Sequence, residues 1–198
     1  MASQFIQITL PDGTRKHVPA GCPVREALTP EGKRLDQKIL AAKVNGIPVD
    51  LFYPLEQDAT VEPLTFESAE GREVYRHSST HIMAQAVKEV FPSAQLTIGP
   101  ALEDGFYYDF AFDRPFTPED LEKIEARAIE ITKRGLTVSR SELSKEEAVK
   151  FFQDRGEGYK VELINSFDSA SPISLYQQGE FVDLCRGPHL PTTGHVGA

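Results

Sequence analysis

The chain is poor in cysteine and in positive charge and has no long apolar run, and each shortage excludes something. Its two cysteines, Cys22 and Cys185, lie far apart in unlike surroundings. That argues against a disulfide scaffold and for reduced thiols. Lys and Arg total 21 against 30 Asp and Glu, a formal net charge of -9. Such a balance excludes a basic coat protein that binds nucleic acid through a broad positive field, though not a local basic patch. The opening segment MASQFIQITLPDGTRKH lacks the apolar core of a secretory signal. No stretch approaches the ~18 uninterrupted apolar residues of a membrane helix. What remains is ordinary globular composition, 40% hydrophobic and 26% charged over 198 residues, enough for one domain or two small ones. A cytoplasmic protein is the expectation.

The first 64 residues read as short strands joined by tight turns. Phe5, Ile6, Ile8 and Leu10 run into Pro11-Asp12-Gly13, and Val18 resumes on the far side, which predicts a hairpin over 4–19. A brief helix is expected over 24–28. A strand over 39–44 meets Asn45-Gly46, the strongest short-range hairpin signal. Pro63 marks the strand over 60–64 as an edge strand. This is an α+β pattern: a small ubiquitin-like module over 1–64, then a second domain over 65–198. The polar segment 65–76, with Gly71, reads as the boundary between them.

In the second part a helix is expected from His77 to Phe91, and an aromatic strand over 106–112. Thr117-Pro118-Glu119-Asp120 starts another helix, which Gly135 ends; Ser144 with Glu147 starts a third. The segments 159–164, 173–176 and 180–184 read as strands.

Two residue pairs stand out. His77 and His81 are four apart on a helix, so both imidazoles project from one face. Cys185 and His189 follow a strand, and Pro188 forbids a regular helix between them. Of two cysteines and five histidines, four fall in these pairs, and all four are zinc-binding types. Three readings stay open: helix-entrance and packing roles, a closed structural zinc site, and a hydrolytic centre with or without metal. Tyr108, on the expected aromatic strand, is either core or site. Lys160, after two glycines, is either a solvated lysine or a cation placed beside a reacting ester. Asp183 points the same way as Cys185 by strand alternation, or else is an exposed strand-end acid. His17, Cys22 and His195 have no partners in the sequence.

The segments HSSTHIMAQAVKEVFP, IGPALEDGFYYDF, RGEGYKVEL and FVDLCRGPHLP occur in the order seen in bacterial-type threonyl-tRNA synthetases, which this chain resembles over essentially its whole length. Residues 1–64 resemble their TGS domain, of ubiquitin-like β-grasp fold. Residues 65–198 resemble their editing domain, α+β with helices and an antiparallel sheet. HxxxH with CxxxH alone is shared with alanyl-tRNA synthetase editing domains; the YYD and RGEGYK segments and the TGS module favour threonine. The aminoacylation core and anticodon-binding domain do not follow, so the chain reads as the N-terminal part of a longer enzyme.

The resemblance implies hydrolysis of serine wrongly esterified to threonine tRNA. His77 and Lys160 would position and activate water. His81 and His189 would hydrogen-bond the ester end, Cys185 would line the pocket, and Asp183 would hold the seryl amine or hydroxyl. Tyr108 would contact the terminal adenosine or close the pocket against the threonine methyl. No metal is expected, with His77, His81, Cys185 and His189 as the donor set if zinc binds. ATP, magnesium and zinc belong to the whole ligase. The expected partner is the 3′ acceptor end of tRNA(Thr) carrying a seryl-adenosine ester, with no membrane. The chain is expected to be a monomer and the whole enzyme a homodimer. The alternatives are a non-catalytic module that grips the acceptor stem and an alanyl-type deacylase.

Overall fold

The computed structural model describes residues 4–102, 104–168 and 172–197. The chain divides into two compact units, Met1–Tyr75 with Gly187–Pro191, and Arg76–Arg186 with Thr192–Ala198. Among the described residues no helix is long and apolar enough to cross a membrane.

The first unit is a β-grasp. Strands β1 (Phe5–Thr9) and β2 (Arg15–Pro19) form the expected antiparallel hairpin. A two-stranded ribbon follows, β3 (Cys22–Pro23) with β6 (Pro54–Leu55), and α1 (Val24–Leu28) starts directly from β3. Strands β4 (Ile39–Val44) and β5 (Ile47–Val49) turn through Asn45 and Gly46, whose φ values of 52° and 83° are those this tight hairpin demands. With β7 (Ala59–Thr65) the sheet order is β2-β1-β7-β4-β5, the β1–β7 pair being parallel.

Alternation along β1 turns Ile6 and Ile8 inward, onto Val24, Leu55 and Val61. Burial of each such side chain stabilises the unit by about 1.5–3 kcal/mol. The edge reading of the last strand is corrected, because β7 lies in the middle of the sheet. The proline is tolerated because the β1 ladder reaches only Ala59 and Thr60. At Pro63 the strand has β4 as its one sheet neighbour, so on its other side there is no ladder for a missing N–H to interrupt.

The helix expected from His77 starts earlier. Helix α2 runs Ala69–Val90 and begins where the polar segment was read as a boundary. The Ser68 hydroxyl accepts the Gly71 N–H, opening the helix. Gly71 is there for space: a Cβ would lie 1.9 Å from the Thr65 carbonyl oxygen. Further along, α2 buries Ser78, Thr80, His81 and Gln85 beside Ile82, Ala86 and Val87.

In the second unit, short ladders follow α2: β8 (Gln95–Leu96) with β11 (Phe110–Ala111), and β9 (Ala101–Leu102) with β10 (Gly105–Phe106). The aromatic strand is therefore two short pieces, with residues 107–109 between them. Helix α3 (Pro118–Arg134) carries the predicted capping box of Thr117 and Asp120 and ends at Gly135, φ 59°. Its Ile131 packs with Ile82 and Val87 of α2.

The polar edge strand β12 (Val138–Leu143), invisible to hydrophobic patterning, opens the antiparallel sheet β12-β13-β14. Helix α4 (Lys145–Gln153) starts at the expected Ser144–Glu147 box. Residues 159–164, expected as a strand, are helix α5 (Gly158–Asn165). The apparent alternation misled because Lys160 and Ile164, four apart, are the buried pair. Ile164 packs on Phe152 and on Ile173 of β13 (Ile173–Gln178), which pairs with β14 (Phe181–Leu184).

Candidate active site

Six separate segments of the second unit contribute to one cavity of about 740 Å³. Six of the seven residues singled out from the sequence line it: His77, His81, Tyr108, Lys160, Asp183 and Cys185. The seventh, His189, belongs to the segment Gly187–Pro191 grouped with the first unit. There it is 1% exposed, and its backbone N–H donates to an Asp50 carboxylate oxygen at 2.7 Å.

The imidazoles come from adjacent turns of α2, their ring centroids 5.7 Å apart. His77 is half-buried, and its Nε2 lies 3.1 Å from the Cys185 Sγ, a thiol–imidazole pair. His81 is fully enclosed. Burial drives its pKa down to about 4, against the pull of the Asp183 charge, so it is neutral at pH 7. Its Nε2 is 3.8 Å from Asp183 Oδ2.

Asp183, on β14, is the centre of the second group. Its Oδ1 accepts from Lys160 Nζ at 2.7 Å and from the Leu184 N–H at 2.7 Å. Its Oδ2 accepts from the Tyr108 hydroxyl at 2.7 Å, and Lys160 Nζ also donates to that hydroxyl oxygen at 3.2 Å. Burial alone would raise the Asp183 carboxyl, but the Lys160 charge and these hydrogen bonds more than offset it, so it sits below its ordinary value. Burial and the Asp183 charge push the Tyr108 phenol far up, which keeps it a neutral donor. The result is an ammonium–carboxylate pair held dry by a phenol, its two side chains 4% and 2% exposed.

Secondary structure accounts for each position. Lys160 sits in the first turn of α5, aimed inward by helix geometry rather than by the strand expected there. Tyr108 stacks on Phe110, centroids 4.9 Å apart. The Gly99 backbone lies against the tyrosine ring, and a Cβ there would be 2.2 Å from Tyr108 Cδ2. Nothing in the sequence pattern marks this role for Gly99. Ser174 fixes the end of β14, its hydroxyl donating to the Cys185 carbonyl at 2.5 Å and its carbonyl accepting the Cys185 N–H.

The ligating atoms of His77, His81 and Cys185 lie within 4.8 Å of one another, and two imidazoles with a thiol are donors that zinc accepts. The donor set therefore fits a zinc ion as well as it fits metal-free acid–base work.

Comparison with known proteins agrees with both the fold and the motifs. Residues 6–65 match the TGS domain, and residues 173–198 match the threonyl and alanyl tRNA synthetase second additional domain. The chain is 54% identical over 196 residues to the threonine–tRNA ligase of Symbiobacterium thermophilum, covering 99% of the chain and 30% of the relative. It is 51% identical over 193 residues to that of Citrifermentans bemidjiense, covering 98% and 30%, and 51% identical over 189 residues to that of Aromatoleum aromaticum, covering 96% and 30%. The chain thus spans about 30% of the length of these curated relatives. It belongs to the threonine–tRNA ligase family, as the N-terminal region that carries the TGS domain and the second additional domain.

Proposed function

We propose that the second unit proofreads threonine tRNA by hydrolysing serine from it. The need follows from size. Serine lacks one methyl of threonine, and a missing methyl-sized group gives a binding site only ~1–3 kcal/mol, roughly 10–200-fold, of discrimination. A second pocket works as the opposite sieve, admitting serine and rejecting the extra methyl at its wall, which we assign to Tyr108.

The observation that carries this reading is a buried lysine, locked by Asp183 and Tyr108, facing the same cavity as a half-buried histidine. Water attacks the ester carbonyl carbon while its proton passes to the His77 imidazole. The carbonyl electrons move onto oxygen beside the fixed Lys160 cation, where preorganised charge is worth most. The C–O bond to the ribose then breaks, and the proton returns to the ribose oxygen. Serine and intact tRNA leave. Cys185 orients His77, and neutral His81 hydrogen-bonds the ester end; an activated ester requires no covalent intermediate. Asp183 accepts from Lys160, Tyr108 and Leu184 N–H, so an amine would reach it only by sharing those contacts. His189 remains assigned to the ester end by resemblance.

Deacylation of Ser-tRNA(Thr), Thr-tRNA(Thr) and Ser-tRNA(Ala) by this chain tests the reading. Hydrolysis of the first alone is expected, with His77→Ala and Lys160→Ala each slowing it about 100-fold or more. Binding of tRNA without turnover would replace the enzyme by an acceptor-stem module, and cleavage of Ser-tRNA(Ala) would point to an alanyl-type deacylase.

A zinc alternative is favoured by the His77, His81 and Cys185 donors, with His189 the fourth by sequence. Zinc there would supply Lewis-acid polarisation. Our reading is metal-free. Activity should survive exhaustive chelation, and loss restored by zinc would reverse it.

A further inference from the structure

We propose that Glu157, clamped by Lys88, is a positioning residue for Lys160 and sets the rate of ester hydrolysis without touching substrate. The inference rests on the hydrolytic reading above. Glu157 lines a separate cavity of about 300 Å³, together with Lys88 and Leu96. Yet its buried carboxylate is committed on both oxygens. Oε1 is 2.7 Å from Lys88 Nζ, and Oε2 accepts the Leu96 N–H at 3.3 Å.

The helix that carries Lys160 needs such an anchor. Helix α5 has eight residues and no side-chain cap at its start. A helix this short does not hold itself in place, so tertiary contacts must fix it. Ile164 anchors its far end in the core. At the near end Glu157 is tied through backbone and side chain together. Its N–H donates to the Phe152 carbonyl at 3.0 Å, and its own carbonyl accepts the Lys160 and Val161 N–H groups. Lys88 extends the clamp by donating to the Pro92 and Ala94 carbonyls at 3.1 and 3.0 Å.

The other end of the clamp reaches the second partner of the lysine. Leu96 pairs with Phe110, and Thr97 and Ile98 exchange hydrogen bonds with Asp109, beside Tyr108. One carboxylate therefore sets the start of α5 against the segment that presents Tyr108. A shift of that start by about 1 Å would spoil the 2.7 Å and 3.2 Å contacts of the Lys160 ammonium. Misplacement on that scale can cost about 100-fold in rate.

The test is Ser-tRNA(Thr) deacylation by the 198-residue chain carrying Glu157→Ala, Glu157→Gln, Lys160→Ala, or Glu157→Ala with Lys160→Ala. Glu157→Ala should lower kcat about 10–100-fold, with KM changed less than about 3-fold. Glu157→Gln keeps one acceptor and should fall between. The double variant should be no more than about 3-fold slower than Lys160→Ala, because a residue that acts through the lysine has nothing left to act on. Should Glu157→Ala fail to fold by circular dichroism, Glu157→Gln and Lys88→Met carry the same cycle. Multiplying losses in the double variant would overturn the inference. So would a Glu157→Ala rate within about 2-fold of wild type beside a strongly slowed Lys160→Ala. A wild-type rate in Lys160→Ala would instead remove the lysine from the mechanism, and this inference with it.

Discussion

Replacing Asp183 by Asn keeps the size of the side chain and removes its charge, leaving the Lys160 ammonium enclosed beside a neutral amide. The two groups are 2.7 Å apart and 2–4% exposed. At an effective dielectric of ~20 their gross attraction is about 6 kcal/mol, much of it offset by the cost of taking both ions out of water. Removing one partner is not offset in this way, because the remaining charge keeps its burial cost, and such losses run to about 3–5 kcal/mol. At about 2–4 °C per kcal/mol the melting point should fall by about 6–20 °C. Lys160→Met added to Asp183→Asn removes the stranded charge and should recover most of the deficit. Because the Asp183 carboxyl is held below its ordinary value, its contribution is complete above about pH 4 and is lost as pH falls through the lower folded value. The deficit should therefore be constant from about pH 5 to 8 and shrink only in acid. Thermal melts of wild type, Asp183→Asn, Lys160→Met and the double variant decide. An Asp183→Asn loss under about 1 kcal/mol, or a double variant as unstable as the two singles together, would refute the buried-pair reasoning.

Gly99→Ala should force Tyr108 off its place and slow Ser-tRNA(Thr) hydrolysis by about 10-fold or more; an unchanged rate would show that the ring can give way. Thr117→Ala removes the cap of α3 and should cost about 1 kcal/mol in urea unfolding. Arg114 beside Asp120 holds that carboxyl well below its ordinary range, so the stability it adds is present near neutrality and is lost as pH falls below about 4. Asp120→Asn should accordingly match wild type only at strongly acid pH. With a net charge of -9, tRNA binding by this chain should depend shallowly on salt, and a slope equivalent to about six phosphate contacts or more would contradict that.

Local chemistry was the legible part of the sequence. Asn45-Gly46 named its hairpin, Thr117 and Ser144 named their helices, and the spacing of His77 and His81 placed both on one helix face. What tertiary context decides was not legible. Helix α5 hid behind an apparent alternation because its inward residue is a lysine, which no hydrophobic pattern counts. Strand β12 is an exposed, polar edge. Pro63 lies in a central strand because a neighbouring ladder stops short of it. At the site, Lys160, Asp183 and Tyr108 come from three distant segments, and no spacing rule connects them. Their grouping entered through likeness to a family, and the geometry supplies its physical reason, a buried charge that needs both partners. Glu157 lay inside the RGEGYK segment but pointed to no role of its own, since a glutamate between two glycines reads as surface.

The hairpin of β13 and β14 has one further consequence. It turns through Gly179 at φ 60°, and its register sets Tyr176 opposite Asp183 and Gln178 opposite Phe181. Side chains on a strand change face at every step, so loss of one residue at this bend would rotate Asp183 away and offer valine or leucine in its stead. Hydrocarbon cannot neutralise an ammonium ion. The sheet could survive such a deletion with its ladder intact while the lysine, phenol and carboxylate lost one another in a single event, so the length of this bend holds the cluster together as much as any side chain does.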